Sequence, residues 1–223
     1  MKTVDKQFII ETLTFFKDLN QEQQKLLLEN ISSFNYGKGD VILSPMYECI
    51  GVLMVKSGQL RVYIISEDGR EITLYKLEAG DACVLSAACL LQSISFDVYI
   101  ESVEDTEVYL LNISTFSRLI RENVVVENFS LKNVVSKFSD IMAGMEKIIF
   151  SSIESRLRDF LLIELESSSD KSIRFTHEEI ASYIGSAREV VSRTLKSFAN
   201  KGLIEQKRGQ IKIINKKALE NIL

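Results

Sequence analysis

Residues 176–196 read T-H-E-E-I-A-S-Y-I-G-S-A-R-E-V-V-S-R-T-L-K. Thr176 stands three residues before Glu179, the spacing of a capping box, so a helix opens there. Ile180 and Ile184 fall on one face of it, and Gly185 ends it. A second helix is expected from Ala187 to Phe198, with Val191, Leu195 and Phe198 recurring on a buried face. Its other face carries Arg188, Glu189, Ser192, Arg193 and Lys196. A guanidinium fits the two acceptors of guanine, and a carboxylate accepts from the amino group of cytosine. Two short helices around a glycine turn, split in this way, form the helix-turn-helix pattern. Ser186 is a candidate cap for the second helix, and Thr176 and Ser186 join the DNA-facing candidates at its edge. Glu189 cannot both close a capping box with Ser186 and reach a base.

Downstream, Leu203–Gln206 and Gln210–Ile214 flank Lys207-Arg208-Gly209 and read as a β-hairpin with a basic tip. Together with a short strand at Ile173–Phe175 this makes a winged helix, in which Lys207 and Arg208 suit backbone phosphate and carry no sequence information. The net charge is −4, which by itself speaks against a nucleic-acid partner. Its distribution speaks for one. From Lys171 to Leu223 there are 11 basic and 5 acidic residues, and the rest of the chain holds 16 basic and 26 acidic ones. An acidic body with a basic tail is the asymmetry expected when one domain alone meets double-stranded DNA.

The 223 residues suffice for two modest domains, and 46% hydrophobic with 26% charged residues is ordinary for a globular chain. No apolar run approaches the roughly 18 residues needed to cross a bilayer. The N-terminus lacks the apolar core of a signal peptide, so a cytoplasmic location without membrane association is expected. Three cysteines, Cys49, Cys83 and Cys89, argue against a disulfide framework. A single histidine, His177, leaves little from which to build a metal site, so neither a catalytic centre nor a cofactor is read from the sequence. A cupin-type metalloenzyme, the alternative from another class, would need several histidines in a barrel.

Residues 5–31 read as two short helices. From Phe34 to Leu111 short apolar runs alternate with glycine turns, and Asp68-Gly69 between Val62–Ile65 and Ile72–Tyr75 is a hairpin signal. This texture predicts a jelly-roll β-barrel. The pattern lapses at Ala82–Leu91, where a helical turn or two is expected, and strands resume at Ser95–Ser102 and Thr106–Leu111. A short helix should end near Asn123 and a long one near Phe150. In the long helix Leu131, Val134, Phe138, Ile141, Met145 and Ile148 step by three and four, a heptad seam suited to a second copy of the chain. A second stripe of Val135, Met142 and Ile149 is free to pack on the chain's own barrel. Ser151-Ser152-Ile153-Glu154 reads as a capping box that opens the next helix. The expected organisation is an α+β chain: a sensor barrel over 1–123, a dimerisation helix over 124–150, and a winged helix-turn-helix over 151–223.

Barrel, dimer helix and C-terminal winged helix, in this order, resemble the CRP/FNR family of bacterial transcription regulators along nearly the whole chain. The most specific match is Arg188-Glu189-Val190-Val191-Ser192-Arg193, similar to the family's R-E-x-V-x-R recognition helix. The resemblance implies base contacts from Arg188, Glu189 and Arg193, and a cyclic-nucleotide-binding-like barrel. It implies a homodimer on a palindromic operator with TGTGA- or TTGA-like half-sites, and RNA polymerase as a partner if the protein activates.

The effector segment departs from the family. Cyclic-AMP-binding members carry Gly-Glu and, further on, Arg-Ser or Arg-Thr, in which the arginine pairs with the cyclic phosphate. Here Val84-Leu85 and Phe96-Asp97 stand in those places, so control by cyclic AMP is not expected. No cysteine precedes Cys49 to form an N-terminal cluster, and no barrel histidine is present to hold haem. Cys83 and Cys89 fall within the effector segment, about 240° apart on a helix, too far round to bridge within one. Three readings stay open for Cys49, Cys83 and Cys89: small apolar core residues, a thiol redox switch, or metal binding.

Overall fold

The N-terminal helices open on local caps. In the computed structural model, which describes residues 4–44, 50–67, 69–84, 98–167, 172–207 and 209–222, Asp5 accepts from the Phe8 amide at the start of α1 (Lys6–Thr12). Asn20 and Gln23 close a full capping box on α2 (Gln21–Glu29). Between them a 3-10 turn, Thr14–Asp18, buries Phe15 and Phe16. Ile31, read from the sequence with the helices, instead begins a strand and lies opposite Leu111.

Eight strands follow: β1 (Ile31–Tyr36), β2 (Val41–Leu43), β3 (Val52–Ser57), β4 (Gln59–Ile65), β5 (Glu71–Glu78), β6 (Ala82–Cys83), β7 (Tyr99–Ser102) and β8 (Thr106–Leu111). They form two four-stranded sheets, ordered β1-β8-β3-β6 and β2-β7-β4-β5. The jelly roll is therefore an open sandwich rather than a closed barrel. Leu53, Val55, Leu60, Val62, Leu77, Ile100 and Val108 fill the space between the sheets. On β3 the alternate residues Val52 and Met54 face the other way, against Leu13, Phe16 and Phe116 of the flanking helices. Both faces of β3 are covered, which is why it reads as an unbroken apolar run. Gly51, just before it, has φ +110°, and a Cβ there would lie 2.0 Å from the Leu111 carbonyl oxygen, so only glycine fits.

One sequence expectation changes here. Ala82–Cys83 is a short strand paired with Met54 and Leu53, not part of a helical turn. The rest of the expected helical insertion, 85–91, lies outside the described residues, as do 95–97 of the strand expected at Ser95–Ser102. Asp68 of the hairpin turn lies outside them too, but Gly69 has φ +78° and its amide reaches Ser66, as a tight turn requires.

After α3 (Ile113–Glu122), capped by Asn112, the long helix α4 runs from Val124 to Phe150. The chain divides into two compact units, Met1–Ile64 with Leu74–Ile141, and Ile65–Thr73 with Met142–Leu223. In the first, the Asn133 side chain donates to Ala82 O at 2.9 Å and accepts from Val84 N at 3.2 Å. Lys137 lies 5.1 Å from the centre of the Tyr75 ring. Val134 and Ile141 pack against the inter-sheet core.

This reverses part of the seam expected from sequence. Val134 and Ile141 belong to the face turned to the chain's own sandwich. Val135, Met142 and Ile149, expected to pack there, are exposed at 66%, 46% and 64%. The two columns lie about 100° apart on the helix and both are apolar, so spacing alone cannot say which faces inward. A polar neighbour decides it: the Asn133 side chain finds its partners on the sandwich backbone, at Ala82 and Val84. The exposed apolar stripe is Leu131, Val135, Phe138, Met142, Met145 and Ile149, with steps of four and three, a heptad seam in its own right.

In the second unit, α5 (Ile153–Ser167) starts one residue later than the expected box. Ser152 accepts from the Ser155 amide, and Glu154 takes no part. The expected loop 166–170 lies partly outside the described residues. The strand expected at Ile173–Phe175 shrinks to a bridge in which Ile173 and Ile211 exchange amide and carbonyl bonds at 3.0 and 2.9 Å. Then come α6 (His177–Ile184), α7 (Arg188–Asn200), β9 (Ile204–Lys207), β10 (Gln210–Ile213) and α8 (Lys216–Glu220). Leu157, Leu161, Ile180, Val191, Leu195, Phe198 and Leu219 are fully enclosed in this unit's core.

Candidate nucleic-acid interface

Helix α6 is fixed at both ends. Thr176 Oγ1 accepts from the Glu179 amide at 3.1 Å, and the Glu179 carboxylate accepts from the Thr176 amide at 2.6 Å. The Thr176 hydroxyl oxygen is thus committed to the cap. Gly185 ends α6 in the left-handed region, with φ +62° and ψ +54°. The Ser186 amide donates back to Ala181 O at 2.9 Å, closing the turn. Arg156 of α5 donates from Nη1 to Ile184 O at 2.6 Å and to Gly185 O at 3.2 Å. A cation here suits the negative end of the helix dipole. Burial draws the Arg156 guanidinium below its ordinary pKa. A Cβ on Gly185 would lie 2.8 Å from Ile148 Cδ1. Gly185→Ala therefore meets both left-handed strain and a crowded turn. It should cost about 1–2 kcal/mol from the strain alone, measured as the shift in urea unfolding.

Helix α7 divides as its sequence implies. Val191, Leu195 and Phe198 are 0% exposed, and the Thr194 hydroxyl donates to Val190 O, so that face belongs to the core. Arg188, Glu189, Arg193 and Lys196 are exposed and Ser192 is half-buried. Arg188 Nε lies 4.0 Å from Glu178 Oε2, with both side chains mostly in solvent, a pair weak enough to exchange for another anion. The capping expectation fails. Ala187 occupies the cap position without a side-chain bond, and Ser186 Oγ is enclosed with no hydrogen-bond partner. Ser186 lies within the turn, its amide bonded to Ala181 O, and Ala187, in extended conformation, stands at the helix start. Glu189 is consequently free of any capping duty.

The wing forms as expected, one residue offset. Gln210 lies opposite Lys207, and Gly209 at the tip has φ +72°. Lys207 is exposed and lies 3.4 Å from Glu205. Arg208 lies outside the described residues. Lys212, which sequence reasoning passed over, is exposed on the second wing strand.

In the sandwich, Cys83 is 0% exposed, with its sulfur 3.8 Å from the Tyr75 hydroxyl. Burial, with Cys83 beside it, pushes the Tyr75 phenol well above its ordinary pKa. Cys49 and Cys89 lie outside the described residues. Arg156 and Asn133 were also missed. A faint signal for Arg156 existed, since a cation in the first turn of a helix runs against the local dipole and wants a partner elsewhere.

Two family models match the chain: the cyclic nucleotide-binding domain over residues 33–123 and the Crp-like helix-turn-helix domain over residues 155–222. A crystal structure from Eubacterium rectale, described as a transcriptional regulator of the CRP/FNR family, is 39% identical, with a TM-score of 0.89 over 94% of this chain and 97% of that one. The chain belongs to the CRP/FNR family. Among curated relatives of this CRP/FNR protein, the transcriptional regulator flp of Lacticaseibacillus casei is 27% identical, covering 92% of this chain and 94% of that protein. The cyclic AMP receptor protein of Thermus thermophilus is 25% identical, covering 93% and 95%. Members of the family are DNA-binding transcription regulators and not enzymes, which sets aside the cupin alternative. Among the described residues no helix is long and apolar enough to cross a membrane.

Proposed function

We propose that this CRP/FNR protein acts in the cytoplasm as a homodimer. Its two α7 helices enter successive major grooves of a palindromic operator with TGTGA- or TTGA-like half-sites, under a signal other than cyclic AMP. The observation that carries the reading is α7 itself: a core-anchored helix with Arg188, Glu189 and Arg193 projecting from the opposite face. In this reading those three address base edges. Ser192, Lys196, Lys207 and Arg208 lie along the flanking backbone, where lysine and arginine contacts add affinity without sequence preference, while Thr176, held in its cap, and Ser186, with its hydroxyl enclosed, drop out as side-chain contacts. The parts are a sensor over 1–123, a dimer helix over 124–150 and the DNA-binding region over 151–223. If the protein activates, RNA polymerase is its further partner.

The dimer is supported by the exposed apolar stripe on α4. Six large apolar side chains spaced as a heptad seam call for a cover of like character, and an identical helix supplies one. The departure from cyclic AMP is supported by Phe96-Asp97 where a phosphate would need its arginine, and by Val84-Leu85 in the place of Gly-Glu. Enclosure of Cys83 weighs toward a packing role for that thiol, since a redox-responsive cysteine needs access.

Selection of bound duplexes from random DNA, with protein kept reduced or oxidised and with or without cyclic AMP, tests the reading. A two-fold symmetric site recovered equally with and without cyclic AMP is expected. Arg193→Ala should then lose roughly 1–3 kcal/mol of discrimination at one base pair of each half-site while leaving the others unchanged. Unaltered preference at every position would remove Arg193 from base reading.

A further inference from the structure

We propose that Ile148 and Arg156 are positioning residues for DNA recognition: together they clamp the Gly185 turn and so fix the direction of α7 within its unit. The inference rests on α7 being the reading helix.

Three observations meet at this turn. Arg156 Nη1 holds the carbonyls of Ile184 and Gly185, one on each side of the junction between helix and turn. Ile148, in the last turn of α4, fills the space where a side chain on residue 185 would stand, its Cδ1 and Cγ1 lying 2.8 and 3.1 Å from an ideal Cβ. The two buried side-chain polar atoms without a hydrogen-bond partner, among the described residues, are Arg156 Nε and Ser186 Oγ, and both belong to this turn.

Placement adds to the argument. Ile148 is half-buried beside the Gly185 turn of its own unit, and its neighbours Met145 and Ile149 are exposed. A shift or rotation of the last turn of α4 therefore presses on or releases the turn from which α7 departs. The contact is apolar and non-directional on the Ile148 side, and directional on the Arg156 side. One side chain sets how closely α4 approaches, and the other sets the orientation of the α6 end.

The test compares the full-length protein with Ile148→Ala, Ile148→Val and Arg156→Gln. The first readout is amide hydrogen exchange of the free protein. In Ile148→Ala and Arg156→Gln, amides of residues 184–192 should exchange roughly tenfold faster while those of α5 and the wing keep their protection. The second is affinity for a duplex selected by the wild-type protein and for a shuffled duplex of equal length. Preference for the selected duplex should fall about three- to thirtyfold, with binding of the shuffled duplex unchanged. Ile148→Val, which loses Cδ1 but keeps Cγ1, should recover part of both readouts, between wild type and Ile148→Ala. Unchanged exchange at the turn, or equal loss on both duplexes in step with global destabilisation, overturns the proposal. A wild-type protein with no sequence preference would refute the regulator reading instead, and the exchange pattern would still decide whether the two residues hold the turn.

Discussion

Phe138→Glu and Met142→Glu should each convert the protein from dimer to monomer, while Lys132→Glu leaves it dimeric. Phe138 and Met142 are 61% and 46% exposed in the single chain and sit at the middle of the apolar stripe. In a two-fold pair each substitution places two carboxylates in one apolar seam, where unpaired charge costs several kcal/mol. Lys132 lies about 100° round the helix from Leu131, away from the stripe. Losing the partner turns bivalent engagement of an operator into single half-site binding, a fall of about a hundredfold or more in affinity. Sedimentation velocity measures the first effect and gel shift the second. The same experiment separates the two candidate seams. Val135→Glu should also dissociate the protein, whereas under the spacing-only seam with Val134 and Ile141 at its centre it would not.

The second large effect is on the platform beneath α7. Phe198 is 0% exposed and is one of the largest enclosed side chains in the C-terminal unit. Truncation of a buried phenylalanine to alanine removes its transfer free energy and leaves a cavity, together about 3–5 kcal/mol. Phe198→Ala should therefore shift urea unfolding by that amount. Exchange protection should fall first across α5, α6 and α7, with the sandwich strands keeping theirs. DNA binding should weaken for every duplex, unlike Arg193→Ala, which is expected to alter preference at one position. A loss under about 1 kcal/mol would mean that the site collapses readily and that α7 is anchored elsewhere.

How far the molecule could be read from its residues followed how local each determinant was. The Thr176–Glu179 box, the Gly185 stop and the Val191–Leu195–Phe198 column each act within two helical turns, and all stand where spacing implied. The apolar runs of the sandwich strands and the glycine turns between them were legible for the same reason. The seam on α4 was not, because two adjacent apolar columns differ only in what lies opposite them. Asn133 settles the matter through partners 51 and 49 residues away. Ala82–Cys83 looked like a lapse in the strand pattern because two small residues carry no alternation, and only pairing with β3 makes them a strand. Ser186 had the composition of a cap, but the helix opens one residue later, with Ala187 at the cap position. Arg156 joined the candidate site through carbonyls 28 and 29 residues downstream, beyond any local pattern.

The most direct measurement of the central claim is binding stoichiometry and affinity on the selected duplex, compared with the same duplex carrying five extra base pairs between its half-sites. Two reading helices fixed by one dimer must meet grooves about one helical turn apart, near 34 Å. Two protomers should bind each duplex together, with a loss of about a hundredfold or more in affinity on the lengthened site. One protomer per half-site, with affinity indifferent to the insertion, would contradict it.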